Sequence, residues 1–206
     1  MSLSTYAPPA AVVALDVARA VDFSALVAVG ADGAVLFLDR WQPRPTWTDA
    51  IEKTCRLAQH PALLGPPVIV DASAEGGRHV AALLARNLPA PTALYAAVST
   101  SSPKPPKQLR DGRILVSKRD LVGGLVDAVS SGRLRVPAAL PSAAILVREL
   151  QAFTRKTTDT GAVVFEAARA SDHDDTVDAV ALALWLHRVL RHRQGIGGLF
   201  PLRRTA

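Results

Sequence analysis

Residues 11–40 read AVVALDVARAVDFSALVAVGADGAVLFLDR, and this stretch decides the fold. It contains three apolar runs, at residues 11–16, 24–30 and 34–40, each with the length and composition of a buried strand. The sequence Ala31-Asp32-Gly33 is typical of a tight turn and predicts a hairpin between the second and third runs. The connection between the first two runs is also short. We therefore expect the first three strands to form an antiparallel meander.

The remainder of the chain alternates between helical and strand patterns. Helices are predicted at 46–60, 78–87, 118–131, 141–153 and 174–191, and further strands at 68–71, 92–98 and 161–167. The order βββ–α–β–α–β of the first half predicts an α/β fold, a mixed sheet with helices on its faces. Residues 99–112 are rich in Pro, Ser and Lys, which predicts an exposed loop or a hairpin with a mobile tip. We expect a disordered lead at 1–10, one domain at 11–194 and a basic tail at 195–206.

Composition excludes several classes of protein. The 206 residues are 49% hydrophobic, which excludes a mostly disordered chain. A formal net charge of +6, carried mainly by arginine, favours nucleic acid or another anionic partner. The single cysteine, Cys55, excludes an internal disulfide and makes a reducing compartment the expectation. No apolar run is long enough to span a membrane, no secretory signal is recognised, and no segment matches the phosphate-binding pattern GxxxxGK[ST].

Two acidic residues occupy unusual positions. Asp16 and Asp71 each end an apolar run that is predicted to be a buried strand. Acidic side chains are uncommon in strands and costly to bury without a partner. If the two strands are neighbours, both carboxylates lie at one edge of the sheet, and a divalent cation would compensate their charge.

A third acidic segment, SDHDDTVDA at residues 171–179, opens the last apolar helix. Asp178 lies three residues after Asp175 and four after Asp174, so either pair shares one helical face. Acids in a first helical turn stabilise the positive end of the helix, and this accounts for Asp172 and for one of Asp174 and Asp175. It does not account for Asp178, which lies deeper and precedes an apolar run. We therefore interpret Asp178 as a metal ligand.

Carboxylate oxygens, with no cysteine cluster and few histidines, favour Mg²⁺ or Mn²⁺ over zinc. Three or four carboxylates around two such ions form an arrangement that hydrolyses phosphodiesters. The alternative is that these acids are scattered surface residues.

Several segments together resemble the nuclease domain of phage terminase large subunits, a branch of the RNase H-like (retroviral integrase) superfamily. They are residues 11–41, VIVDASAEGG, VSKRDLVGGLVDAV with GRLRVP, ILVRELQAF and SDHDDTVDAVALAL, in the order of that family. The resemblance implies an RNase H-like mixed five-stranded sheet of order 3-2-1-4-5. It also implies a two-metal endonuclease that cuts concatemeric double-stranded DNA during packaging, in the cytoplasm of a bacterial host.

The resemblance also implies roles for individual residues. Asp16 is the ligand that bridges two Mg²⁺ or Mn²⁺ ions, and Asp71 is the ligand from the fourth strand. The last helix contributes Asp175 and Asp178 to catalysis, with Asp174 as a further metal ligand, and the sequence does not decide between the three. Gly76-Gly77 after Asp71 is interpreted as allowing the backbone to turn near the metals.

The same resemblance implies partners. They are double-stranded DNA, an ATPase motor, a small terminase subunit and a portal. Terminase large subunits carry a motor before this domain and this sequence shows none, so we interpret the chain as an excised domain, a split-gene product or a prophage remnant.

A basic stretch, which consists of Lys104, Lys107, Arg110, Arg113, Lys118 and Arg119, is a candidate DNA-binding segment. It is interpreted either as a solvated loop or as a loop that follows the phosphate backbone of a duplex. Two alternative functions remain open: a Holliday-junction resolvase-like nuclease, and a non-catalytic DNA-binding or assembly module.

Overall fold

The structure is a computed structural model. It describes residues 10–17, 23–42, 47–102, 104–157, 163–167, 174–192 and 199–202, with the backbone alone at 153–157 and 163–167. The lead predicted at 1–10 lies outside the described residues except for residue 10, and so does the predicted tail except for 199–202. Residues 199–202 pack against the domain, because the backbone N–H of Leu202 donates to the carbonyl of Leu94 at 2.7 Å and Leu199 is buried.

A seven-stranded mixed sheet forms the centre of the molecule. Its strands are β1 (Ala11–Asp16), β2 (Ser24–Gly30), β3 (Val35–Trp41), β4 (Val68–Asp71), β5 (Leu94–Thr100), β6 (Lys107–Gln108) and β7 (Ile114–Ser117), in the order β3-β2-β1-β4-β5-β7-β6. β1, β2 and β3 form the predicted antiparallel meander. β4, β5 and β7 run parallel to β1, so the carboxyl ends of these four strands share one edge of the sheet, called here the carboxyl edge.

The five-stranded prediction was wrong in the number of strands, because β6 and β7 extend the sheet beyond β5. β6 lies in the segment predicted as a loop or hairpin, and it pairs with β7 through an antiparallel turn. The four residues of β7 run directly into a helix at Lys118, so their pattern is too short to stand out. The strand predicted at 161–167 is present as β9 (Val163–Ala167), but it pairs with β8 (Phe153–Thr157) in a separate two-stranded sheet.

Five helices cover the two faces of the sheet. They are α1 (Thr48–Ala58), α2 (Glu75–Asn87), α3 (Lys118–Ser130), α4 (Ala143–Ala152) and α5 (Asp175–Arg191). The core on one face includes residues of α3, α4 and α5, and the core on the other includes residues of α1 and α2. Alternation along β1 explains both cores, since Val12 and Ala14 belong to the first and Val13 and Leu15 to the second.

α5 is the central helix of its layer. It packs across β1 and β2, and Trp185 and Leu186 are fully buried in it. Its amino-terminal turn therefore lies against the sheet rather than in solvent, and Asp175 and Thr176 are buried there. Among the described helices, none has the length and apolar character needed to cross a membrane.

Candidate metal centre

Asp16 and Asp71 end adjacent parallel strands at the carboxyl edge. The register pairs Leu15 with Val70, so the two aspartates take the next position on each strand. Oδ1 of Asp71 accepts a hydrogen bond from the backbone N–H of Ser73 at 2.7 Å, which fixes its carboxylate just beyond the strand. The structure therefore brings the two predicted strand-end acids to one place.

The first turn of α5 carries two more acids to this edge. Asp174 is the N-cap residue of α5, and Asp178 lies one turn into the helix. Nζ of Lys118 lies 4.0 Å from Oδ2 of each of these aspartates. Lys118 reaches them because it is the first residue of α3, directly after the end of β7.

The electrostatics show that these acids form one group. Burial raises the pKa of Asp16 well above its usual range, and the negative charges of its neighbours raise it further; these neighbours are Asp71, Asp178, Asp175 and Asp174. Burial also raises the pKa of Asp178 to about 7, against the opposing effect of the Lys118 ammonium. Several carboxylates thus share a partly desolvated site beside the Lys118 ammonium, and their negative charges repel one another.

This donor set fits a hard divalent cation. All the candidate ligands are carboxylate oxygens, which Mg²⁺ and Mn²⁺ prefer, and added positive charge would relieve the repulsion within the group. Within the described part of the chain, no three His, Cys, Asp or Glu side chains already converge on one point where an ion could bind.

Asp175 lies on a different side of the helix. Its Oδ2 accepts hydrogen bonds from Nε of Arg40 at 3.3 Å and from Nη2 at 3.1 Å. Nε of Arg40 also lies 3.4 Å from Oε1 of Glu149, and all three side chains are less than a tenth exposed. Neither Arg40 nor Glu149 can be predicted as a site residue from the sequence, because one basic residue at a strand end and one acid in an amphipathic helix carry no distinctive pattern.

The glycine pair after Asp71 lies in the first turn of α2 rather than in a free loop. A Cβ atom added to Gly77 would lie 1.9 Å from the carbonyl oxygen of Asp71. Gly77 therefore allows α2 to begin in direct contact with the end of β4, which holds the backbone of Asp71 in place.

The predicted DNA-binding stretch is divided between two parts of the molecule. Lys118 and Arg119 begin α3 at the carboxyl edge, and Arg119 is exposed. Arg110 and Arg113 belong to the β6–β7 turn at the opposite edge, where Nε of Arg113 donates to Oδ2 of Asp111 at 2.8 Å. The exposed residues Lys104 and Lys107 precede the β6–β7 turn in the chain, and Lys107 begins β6.

Comparisons with known proteins agree with this architecture. A family model described as the terminase RNase H-like domain matches residues 13–186. Among solved structures, the large terminase nuclease of thermophilic phage G20c with bound magnesium aligns with a TM-score of 0.63 at 22% identity, covering 85% of this chain and 80% of that one.

Two further structures are more distant in sequence. A variant nuclease domain of the large terminase subunit of bacterial virus Sf6, with manganese and β-thujaplicinol, aligns with a TM-score of 0.57 at 15% identity and covers 90% of this chain and 89% of that one. The manganese-soaked, inhibitor-bound terminase nuclease domain of human cytomegalovirus aligns with a TM-score of 0.52 at 15% identity and covers 87% of this chain and 83% of that one. A search of curated proteins gives no match.

Proposed function

Because the chain belongs to the terminase RNase H-like domain family, we propose that it is an endonuclease that hydrolyses double-stranded DNA with two Mg²⁺ or Mn²⁺ ions. One observation carries this proposal. Asp16 and Asp71 end adjacent parallel strands, and the charges of the α5 acids act on the same buried carboxyl group of Asp16. Solved structures with this fold have magnesium or manganese bound, which supports the choice of ions.

We infer the following ligands. Asp16, Asp71, Asp178 and Asp174 would hold the two ions, because the charges of Asp71 and of the α5 acids all act on the carboxyl group of Asp16. The ions, when bound, supply activation of water and stabilisation of the leaving oxygen.

Other side chains and backbone groups position the carboxylates and contact the DNA. Ser73 holds the Asp71 carboxylate through its backbone N–H, and the hydroxyl of Ser73 accepts from the N–H of Ser99 at 2.9 Å on the neighbouring strand. The Lys118 ammonium lies 4.0 Å from the carboxylates of Asp174 and Asp178 and its side chain is 37% exposed, so it can pair with a phosphate oxygen once cations occupy the carboxylates. Arg119, exposed on the next position, would contact the DNA backbone.

The family supports a place in a DNA-packaging machine inside a bacterial host cell. In that setting we infer that an ATPase motor, a small terminase subunit and a portal act with this domain. The domain would cut the duplex, and the ATP-dependent movement of DNA would come from the motor.

Cleavage of plasmid DNA by the purified chain tests the function. We expect nicked and linear products with Mn²⁺ or Mg²⁺ and none with EDTA. D16N and D71N should each abolish cleavage, whereas D127N, at an exposed carboxylate on α3, should cleave at the wild-type rate. Equal cleavage by wild type and D16N would contradict the proposal.

Two further arms of the experiment address the alternatives. A labelled four-way junction offered beside a linear duplex of equal length should be cut no faster than the duplex. Strong preference for the junction would instead indicate a resolvase-like nuclease. Binding of DNA without cleavage by any metal-loaded sample would indicate a non-catalytic DNA-binding module.

A further inference from the structure

A buried ionic cluster lies beside the proposed metal centre and has no part in the mechanism above. It consists of Arg40 from β3, Glu149 from α4 and Asp175 from α5, whose side chains are 7%, 4% and 9% exposed. We propose that Arg40 and Glu149 are positioning residues that fix the first turn of α5, and that Asp175 serves this cluster rather than the ions. Asp174 and Asp178 are then the ligands from α5. The inference rests on the proposed nuclease function and deepens it.

Glu149 holds the amino-terminal end of α5. Its Oε2 accepts from the backbone N–H of Thr176 at 3.0 Å and also from the Thr176 hydroxyl. The first N–H groups of a helix have no partner within the helix, and the N-cap residue Asp174 makes no side-chain capping bond here. A carboxylate from another helix thus performs the capping, at the end of the helix where negative charge is favourable. This contact fixes the position of α5 along its axis.

Arg40 fixes the rotation of the helix. Its guanidinium holds Oδ2 of Asp175 at 3.1 and 3.3 Å, lies 3.4 Å from Oε1 of Glu149, and stacks 3.7 Å from the centre of the Phe23 ring. At about 100° per residue, Asp178 lies about 40° around the helix from Asp174, and Asp175 lies about 60° beyond Asp178. An anchor at Asp175 therefore turns Asp174 and Asp178 toward Lys118 and the strand-end acids.

The cluster is a poor device for stability alone. Buried ion pairs cost desolvation, and apolar residues of similar size often stabilise a fold as well or better. Here Oε1 of Glu149 is buried and has no hydrogen-bond partner among the described residues, and burial raises the pKa of this carboxyl. What the charged groups provide, and apolar groups could not, is a defined direction for the carboxylates of α5.

Metal titration of the full chain separates ligands from positioning residues. Isothermal titration calorimetry with Mn²⁺ should show at least tenfold weaker binding for D178N and D174N. D175N should bind Mn²⁺ within about threefold of the wild type, yet cleave about 10–100-fold more slowly at saturating Mn²⁺. Loss of Mn²⁺ affinity in D175N as large as in D178N would make Asp175 a ligand and overturn the inference.

A triple variant separates positioning from stability. R40M/E149M/D175N removes every charge of the cluster, so no buried charge is left unpaired. We expect it to remain folded with a Tm close to that of wild type, because the lost acceptor for the N–H of Thr176 offsets the gain from removing buried charges. It should keep the KM for DNA and lose about 10–100-fold in kcat. R40K should recover more activity than R40Q, and R135M, which breaks an exposed Arg135–Asp32 pair elsewhere, should leave kcat unchanged. A folded triple variant with wild-type kcat would overturn the inference.

Amide hydrogen exchange gives a readout that does not depend on nuclease activity. The N–H of Thr176 should exchange slowly in the metal-free wild type and quickly in E149M, because Glu149 is its acceptor. Equally fast exchange in both proteins would refute the positioning role. Slow exchange in a wild type that neither binds Mn²⁺ nor cleaves DNA would leave the positioning role standing and refute the nuclease function.

Discussion

Asp16 occupies the last position of a strand whose other five residues are fully buried, and its carboxylate faces the negative charges of its neighbours. Without a cation, an ionised Asp16 therefore works against folding. D16N keeps the shape of the side chain and removes the charge. In EDTA at pH 7.5 we expect D16N to be about 1–3 kcal/mol more stable than wild type while it is inactive.

Thermal unfolding followed by circular dichroism checks this expectation. In a chain of this length, each kcal/mol of added stability raises the Tm by about 2–4 °C. Addition of Mn²⁺ should raise the Tm of wild type more than that of D16N, since the variant lacks one of the carboxylates proposed to bind the ions. A metal-free D16N that melts below wild type would contradict the electrostatic account.

Asp178 makes the stability of the metal-free protein depend on pH. Its pKa is about 7 in the folded protein against 3.8 for the unperturbed side chain, so between these values the folded state binds more protons than the unfolded state. Stability contributed by this group is therefore lost as pH rises from about 4 to about 7. We expect the Tm in EDTA to fall over this range in wild type, and to fall less in D178N.

The affinity for Mn²⁺ should increase as pH rises, because protons and Mn²⁺ compete for the same carboxylate oxygens. The rise in Tm on addition of Mn²⁺ is expected to be larger at pH 7.5 than at pH 5.5. The same Mn²⁺ effect at both pH values, in wild type, would show that Asp178 does not titrate in this range.

The contact between α2 and β4 depends on the glycine at position 77, which has no side chain. Because a Cβ on Gly77 would lie 1.9 Å from the Asp71 carbonyl oxygen, G77A must push α2 and the end of β4 apart. Overpacking of this kind costs about 1–3 kcal/mol. A displacement of Asp71 by about 1 Å would lower the cleavage rate about 100-fold.

Gly123 supplies a matched control for this substitution. It lies within α3, is exposed, and has no other atom within 4 Å of an added Cβ. G123A should stabilise the protein by up to about 1 kcal/mol, because alanine favours the helix, and it should leave cleavage unchanged. Urea unfolding and plasmid cleavage of the two variants test the packing argument, and a fully active G77A would refute it.

Sequence patterns predicted the strands and helices whose apolar residues are regularly spaced. β1 to β5 and the five helices lie within a few residues of their predicted positions, because each has a clear apolar run or helical period. β7 was missed since its apolar stretch, Ile114–Val116, merges with the helix that follows. β8 was missed since the helical pattern of α4 runs on into it. In both cases, tertiary pairing rather than local pattern decides the structure.

Some residues of the candidate site can likewise be predicted from the sequence, and others cannot. Asp16, Asp71 and Asp178 could be singled out because an acid after or within an apolar run conflicts with burial. Arg40 and Glu149 could not, because their burial depends on each other and on Asp175 across three separate elements. A sequence shows such residues only as ordinary charges on a strand and a helix.

The basic residues of the predicted DNA-binding stretch lie at both edges of the sheet. Lys118 and Arg119 lie at the carboxyl edge with the acidic group, whereas Arg110 and Arg113 lie at the opposite edge in the β6–β7 turn. Arg113 is further neutralised by its pairing with Asp111. A duplex whose backbone reaches the proposed ions would contact Lys118 and Arg119. Basic residues that are neighbours in the sequence would therefore contribute unequally to DNA binding.

The dependence of DNA affinity on salt measures those contributions separately. Each phosphate contact that is lost lowers the slope of log K against log salt concentration by about one, because fewer counterions are released. We expect R119Q to lower the slope by about one. R110Q removes the same charge at the opposite edge and should leave the slope unchanged. Fluorescence anisotropy with a labelled duplex in Ca²⁺, at several KCl concentrations, would provide the slopes. An equal reduction in both variants would place the duplex across both edges of the sheet, and a reduction in R110Q alone would place it away from the carboxylates.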